Sequence, residues 1–133
     1  MNVEEILALK TIAIVGLSRS AEKESYTVAE YLKAHGYRIV PVNPTATEIL
    51  GEKCYPSLKD VPFPVDVVDV FRPSADVPGI AREAAEIKQK TGKPFVLWMQ
   101  LEIENAEARK IAESAGMAVI ENKCIKIEHA RLT

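Results

Sequence analysis

Thr11-Ile12-Ala13-Ile14-Val15-Gly16-Leu17-Ser18 decides the fold. A strand buried on both faces reads as a nearly continuous apolar run, and such strands belong to parallel sheets covered by helices. The run predicts a central strand that ends on a glycine turn. Upstream, Val3, Ile6, Leu7 and Leu9 stripe a short leading helix over residues 3–9. Downstream, residues 17–25 are polar and predict a loop. A helix then runs to about His35. Thr27 and Glu30 have capping-box spacing, and Val28, Tyr31, Leu32 and His35 share one helical stripe. Gly36 suits a left-handed C-terminal cap. Residues 37–42 form the second strand, and Pro41 predicts looser pairing toward its end.

Further out, the same alternation repeats. Residues 43–64 hold Pro44, Gly51, Pro56, Pro62 and Pro64, with room for one very short strand near residues 52–54. Residues 65–71 and 95–99 are clear strands. Between them lies a helix with Val77, Ile80, Ala81, Ala84 and Ile87 on its apolar face. Ser74 or Asp76 can cap it, Pro78 suits its first turn and Gly92-Lys93-Pro94 stops it. Ala108, Ile111, Ala112 and Ala115 stripe a helix from about Glu104, and residues 117–120 form the last strand. Strands alternating with helices imply right-handed βαβ units. The expectation is an α/β fold: a Rossmann-like, doubly wound parallel sheet of five strands with helices on both faces.

Composition agrees and excludes much else. The 133 residues suit one domain spanning 1–133. Lys and Arg total 17 against 19 Asp and Glu, so no strong basic field exists to capture nucleic acid. No apolar run approaches the ~20 residues of a membrane span. The acidic N-terminus lacks a secretory n-region. Cys54 and Cys124 form neither a CxxC motif nor a disulfide framework. A reducing, cytoplasmic setting is the expectation.

Open α/β sheets bind ligands beyond the C-terminal strand ends, at the switch point in strand order. Four segments reach that place: 16–26, 42–45, 71–77 and 98–103. Gly16-Leu17-Ser18 opens a helix, with Ser20, Ser25, Arg19 and Lys23 adding hydroxyls and charge. A phosphate cradle has this composition. A dinucleotide fingerprint needs further glycines where Ser18 and Ala21 stand, and an ordinary βα turn reads equally well. Val42-Asn43-Pro44 lacks the carboxylate that holds a ribose in NAD sites. Phe71-Arg72-Pro73 offers an arginine able to grip phosphate with two hydrogen bonds, or a solvated loop. Trp98 lines a pocket or belongs to the core. Asp66 and Asp69 stand on opposite faces of one strand, so they make no catalytic pair, and Asp69 is left to anchor nearby amides or a loop. Cys124 and His129 have no recognised metal spacing and no orienting third group. Cys124 reads best as a buried thiol.

Five runs together carry a resemblance: 12–18, 36–44, 51–58, 65–72 and 124–129. In order and sequence they resemble the small stand-alone CoA-binding proteins. These are similar to the CoA-binding domain of the succinyl-CoA synthetase α subunit. The resemblance implies a strand order of 3-2-1-4-5, the short third strand lying near residues 52–54. It implies a coenzyme A or acyl-CoA ligand. Gly16, Leu17 and Ser18 would cradle the pyrophosphate, helped by Arg19, Lys23, Ser25 and Tyr26. Val42, Asn43 and Pro44 would border the adenosine. Phe71, Arg72 and Pro73 would cover the adenine or pantetheine side, near Val77, with Trp98 and Gln100 toward the pantetheine. The synthetase's phosphorylated histidine lies in a second domain, which has no counterpart here. Binding without catalysis is therefore the expectation, against a small NAD(P)-dependent enzyme or a regulatory partner subunit. A crevice-lining Cys124 would permit a mixed disulfide with the pantetheine thiol.

Overall fold

A computed structural model describes residues 1–133. In chain order the elements are α1 (Val3–Leu7), β1 (Thr11–Val15), α2 (Glu24–Ala34), β2 (Arg38–Val42), β3 (Glu48–Ile49) and β4 (Glu52–Lys53). Then come β5 (Val67–Val70), α3 (Val77–Thr91), β6 (Val96–Met99), α4 (Ala106–Ser114), β7 (Ala118–Ile120) and α5 (Ile125–Leu132). Five strands form one parallel sheet in the order β2-β1-β5-β6-β7. The chain leaves β1 toward β2 and returns to β5 on β1's other side, so the switch point lies between β1 and β5. The Rossmann-like reading holds.

The short third strand is present in reduced form. Tyr55 makes one parallel bridge beside β2, at Val42. The residues just before it, β4, pair antiparallel with β3 as a separate ribbon. The expected loosening at Pro41 does not occur: β1 and β2 stay in register through Val15 and Val42. Pro41 sits where its missing N–H would face the outer edge, the side on which its carbonyl accepts Tyr55 N at 3.0 Å. No bond to β1 is lost.

Side-chain alternation splits the core in two. Ile12, Ile14, Val67, Val96 and Trp98 pack under α1, α2 and α5 with Ile6, Leu7, Val28, Leu32 and Ile125. Ala13, Val40, Val68, Val70, Leu97 and Met99 pack under α3 and α4 with Val77, Ala81, Ala84, Ala108 and Ala112. The many alanines on α3 and α4 let those helices lie close to the sheet. No helix is long and apolar enough to cross a membrane.

Two helix starts differ from the sequence reading. α2 begins at Glu24, with Lys23 as its extended cap, so Thr27 lies inside the helix and no capping box forms. Its Oγ1 donates instead to the Lys23 carbonyl. Asp76 is the cap residue of α3, yet its carboxylate makes no capping bond. Ser74 Oγ accepts Glu104 N at 3.1 Å, which ties the α3 entry to the α4 entry. α5 was unforeseen. Only Ile125 of its eight residues is buried, so the periodic signal is thin. Tertiary contacts hold it: Tyr31 hydroxyl meets His129 Nδ1 at 2.7 Å, and Gln100 Oε1 accepts Ile125 N at 3.1 Å.

Candidate functional site

The switch point opens into a cavity of about 640 Å³. That size is ordinary for a small-molecule site. Val15 and Gly16 form its floor, Ser18 and the Val42-Asn43-Pro44-Thr45 run one wall, and Pro56, Ser57 and Leu58 close that side. Arg72, Asp76, Ile80 and Glu83 form the opposite wall.

Each wall is built by local chemistry. Gly16 has φ +88°, and a Cβ there would collide with the Phe71 carbonyl oxygen and sit 3.0 Å from Arg72 Cδ. Glycine is thus required by the neighbouring strand end, and the Arg72 stem lies over the turn. Phe71 N donates to Val15 O at 2.8 Å, which fixes this approach. Asn43 is the organiser of the other wall. Its Nδ2 donates to Leu17 O at 2.9 Å, and its Oδ1 accepts Thr45 N and Thr45 Oγ1, each at 2.8 Å. The loops after β1 and β2 are therefore bound together. Ser25 Oγ, buried at the start of α2, accepts Ser18 N at 3.0 Å, and Ser18 Oγ accepts Ser20 N at 3.0 Å. The Leu17 and Arg19 amides donate to no other group of the chain. A loop with free amides at a helix entrance suits an anion.

Of the residues singled out from sequence, Gly16, Ser18, Val42, Asn43, Pro44 and Arg72 line this one cavity. Arg19 stands beside it, its Nη1 reaching the Thr45 carbonyl at 3.5 Å. Lys23 and Pro73 are exposed. Ser25 works from behind the loop. Leu17 is wholly buried, and Tyr26 and Phe71 pack with it against the core under α2. Val77 is core under α3. Trp98 and Gln100 lie outside the cavity, buried against the last segment: Trp98 Nε1 donates to Lys123 O at 2.7 Å, and Gln100 carries the Ile125 amide. They position α5. Cys124 is buried as its cap residue and does not border the cavity, which removes the geometry for a mixed disulfide. Cys54 is buried too, its thiol donating to the Asn43 carbonyl at 3.5 Å, and burial raises its pKa.

The sequence reading placed Thr45 and Asp76 inside the candidate segments 42–45 and 71–77 without a role in binding, and it missed Pro56, Ser57, Leu58, Ile80 and Glu83. A signal for three of them existed, since Pro56, Ser57 and Leu58 fall in the quoted run 51–58. Asp69 also departs from expectation. It is fully buried between Ile14 and Trp98 in the sheet register, and neither carboxylate oxygen has a partner. Desolvation holds its pKa well above the ordinary carboxylate range. Asp66 does the anchoring instead. It accepts Thr11 N at 3.1 Å and Lys10 N at 3.3 Å, and pairs with Lys93 at 2.8 Å. Burial alone would raise its pKa, but Lys93 and those amides outweigh it and hold the carboxyl low.

Comparison with known proteins places this geometry. A family model described as a CoA binding domain matches residues 10–130. Uncharacterized protein YneT of Bacillus subtilis (strain 168) is 43% identical over 130 residues, 97% of this chain and 93% of that protein. A structure of a hypothetical protein from Pyrococcus horikoshii OT3 superposes with a TM-score of 0.90 at 40% identity, covering 98% of this chain and 89% of that one. An ADP-forming acetate–CoA ligase of Methanocaldococcus jannaschii is 29% identical over 127 residues, 92% of this chain but 18% of the ligase. The chain thus spans under a fifth of that enzyme's length.

Proposed function

Since the chain belongs to the CoA binding domain family, we propose that it holds coenzyme A or an acyl-CoA in the crevice at the C-terminal strand ends and performs no chemistry on it. One observation carries the reading: the cavity joins the Gly16–Ser18 turn, the Asn43 wall and the Arg72 guanidinium around one space. The turn offers amides and hydroxyls to a pyrophosphate at the entrance of α2, where the helix dipole favours negative charge. Arg72 supplies a fork of donors to phosphate oxygens. Arg19 and Lys23 add positive charge at the rim. Val15, Val42, Pro44 and Leu58 give apolar surface against an adenine or pantetheine arm. Leu17, Ser25, Tyr26, Phe71, Pro73 and Val77 act through the loops that they brace, and Trp98 and Gln100 through α5.

The side chains lining the cavity include no histidine or cysteine. The Ser–His and Cys–His pairs that activate a nucleophile are therefore absent from the lining. Asn43 stands where a NAD site places its carboxylate, and its amide is occupied by Leu17 and Thr45. That wall favours CoA over NAD.

Native mass spectrometry with titration of CoA and, separately, NAD tests the proposal. A CoA adduct at one equivalent is expected. NAD binding without CoA binding would overturn it, as would binding of neither.

A further inference from the structure

The cavity is poorly charged for the ligand proposed for it. A phosphate-rich ligand brings several negative charges, yet the lining holds one cation, Arg72, and two carboxylates, Asp76 and Glu83. Arg72 is also engaged. Its Nη2 donates to Asp76 Oδ2 at 2.8 Å, with both side chains about half exposed at 51% and 46%. The Arg72 stem lies over the Gly16 turn, its Cδ 3.0 Å from where a side chain on residue 16 would begin. Both Arg72 and Asp76 line the cavity, and Asp76 holds the guanidinium there. Asp76 has no other duty: it caps α3 by position but its side chain makes no capping bond.

We propose that Asp76 is a gate on the anion site and a determinant of its selectivity. This rests on the CoA reading and deepens it. Asp76 Oδ2 takes one donor of the Arg72 guanidinium, at Nη2. An entering phosphate oxygen competes with Asp76 for that donor, and the guanidinium swings from carboxylate to phosphate as the ligand seats. The exchange is between two charge-assisted hydrogen bonds of one kind, so it is nearly balanced and reversible. A singly charged anion gains little by the exchange, because Asp76 remains on the wall to repel it. A ligand that also contacts the Ser18 turn and the apolar wall has the further binding energy to open the gate. Phosphate-free ligands do not need it opened.

The test is calorimetry with CoA and with pantetheine, which shares the arm and lacks the phosphates. Four proteins are compared: the unaltered chain, Asp76→Asn, Arg72→Gln and the double variant. Both positions are exposed and the cap bond is absent, so all four fold, and melting curves check this. Asp76→Asn is expected to tighten CoA binding by about three- to tenfold at low salt, with the gain shrinking as ionic strength rises. Pantetheine binding stays unchanged. In the Arg72→Gln background the same Asp76 change gives a clearly smaller gain. An equal gain in both backgrounds overturns the gate and leaves simple repulsion. Unchanged or weaker CoA binding by Asp76→Asn, in a chain whose unaltered form binds CoA, overturns the gate alone. No binding by any of the four overturns both readings. Binding by Asp76→Asn with none by the unaltered chain supports both in their strongest form.

Discussion

The two ends of the sheet treat polar groups in opposite ways. At the end where the strands begin, Asp66 is closed on Lys93 and on the Lys10 and Thr11 amides. Nearby, Tyr31, His35 and His129 lean on one another, with the His35–His129 ring centroids 5.2 Å apart. At the end where the strands finish, amides of the Gly16 loop stand free and Arg72 holds only an exposed carboxylate. A group whose partners are all internal is structural. A group whose partner is weak and solvated is available to a ligand. The orphan Asp69 within β5 and the satisfied Asp66 just before it are three positions apart, so residue type alone does not tell which is which.

The largest test concerns the glycine turns. Gly16 and Gly36 share a positive φ of 88° and 89°, but a Cβ at Gly36 meets nothing within 4 Å, whereas one at Gly16 strikes the strand end. Gly36→Ala is expected to cost about 1 kcal/mol, the left-handed penalty alone. Gly16→Ala should cost about 3 kcal/mol or more, adding a steric clash, and should abolish CoA binding. Chemical denaturation measures both. Equal losses would break the claim that the turn is held by close approach.

The aspartates come next. Asp66→Asn weakens the anchor that a nearly buried carboxylate gives to two amides and to the half-exposed Lys93, and should cost about 1–3 kcal/mol. Asp69→Asn should stabilise by about 1 kcal/mol or more at pH 8, since an unpaired buried carboxylate is replaced by a neutral isostere. The pH dependences have opposite signs. The pKa of Asp69 is raised on folding, so its favourable contribution is complete below the unfolded value and is lost as pH rises through the folded one. The pKa of Asp66 is lowered, so its contribution is present above the unfolded value and is lost as pH falls through the folded one. Melting curves of both variants between pH 3 and pH 8 separate them, and curves that move in parallel would refute the distinction.

Arg72→Gln is expected to weaken CoA binding about tenfold while changing stability by less than about 0.5 kcal/mol, because its ion pair is exposed. Calorimetry against a melting curve reads both. A stability loss with intact binding would make Arg72 structural after all.

The division between legible and hidden features follows the same physics. β1, β2, β5 and β6 announced themselves because a doubly buried strand can be little but apolar. Gly16 and Arg72 were legible because chain topology alone carries strand ends to the switch point. Glu83 was not, since a mid-helix glutamate reaches the cavity only through tertiary placement; Ser57 and Leu58 were carried only by the run 51–58, whose irregular path gave them no place in the site. α5 was hidden because packing against Trp98 and Gln100, rather than its own periodicity, makes it a helix. Trp98 illustrates the limit: its place on β6 was readable, but not that its indole N–H is turned to Lys123 and away from the cavity.

The smallest effect tests the closed end. Burial, then His35, then Lys10, lowers the pKa of His129 below the ordinary histidine value. Its Nδ1 meets the Tyr31 hydroxyl at 2.7 Å, and burial with His35 and Lys10 nearby disfavours a charge on the ring. A lowered pKa means the contribution is present above the unfolded value and is lost as pH falls through the folded one. The chain should therefore lose a small part of its Tm as pH falls from 7 to 5. His129→Gln should remove that loss, and CoA affinity at pH 7 should not change, because His129 lies on α5 at the opposite end of the sheet from the cavity. If CoA affinity instead falls with His129 protonation, the two ends are coupled through α5 and its hold on Gln100, and the separation drawn between them fails.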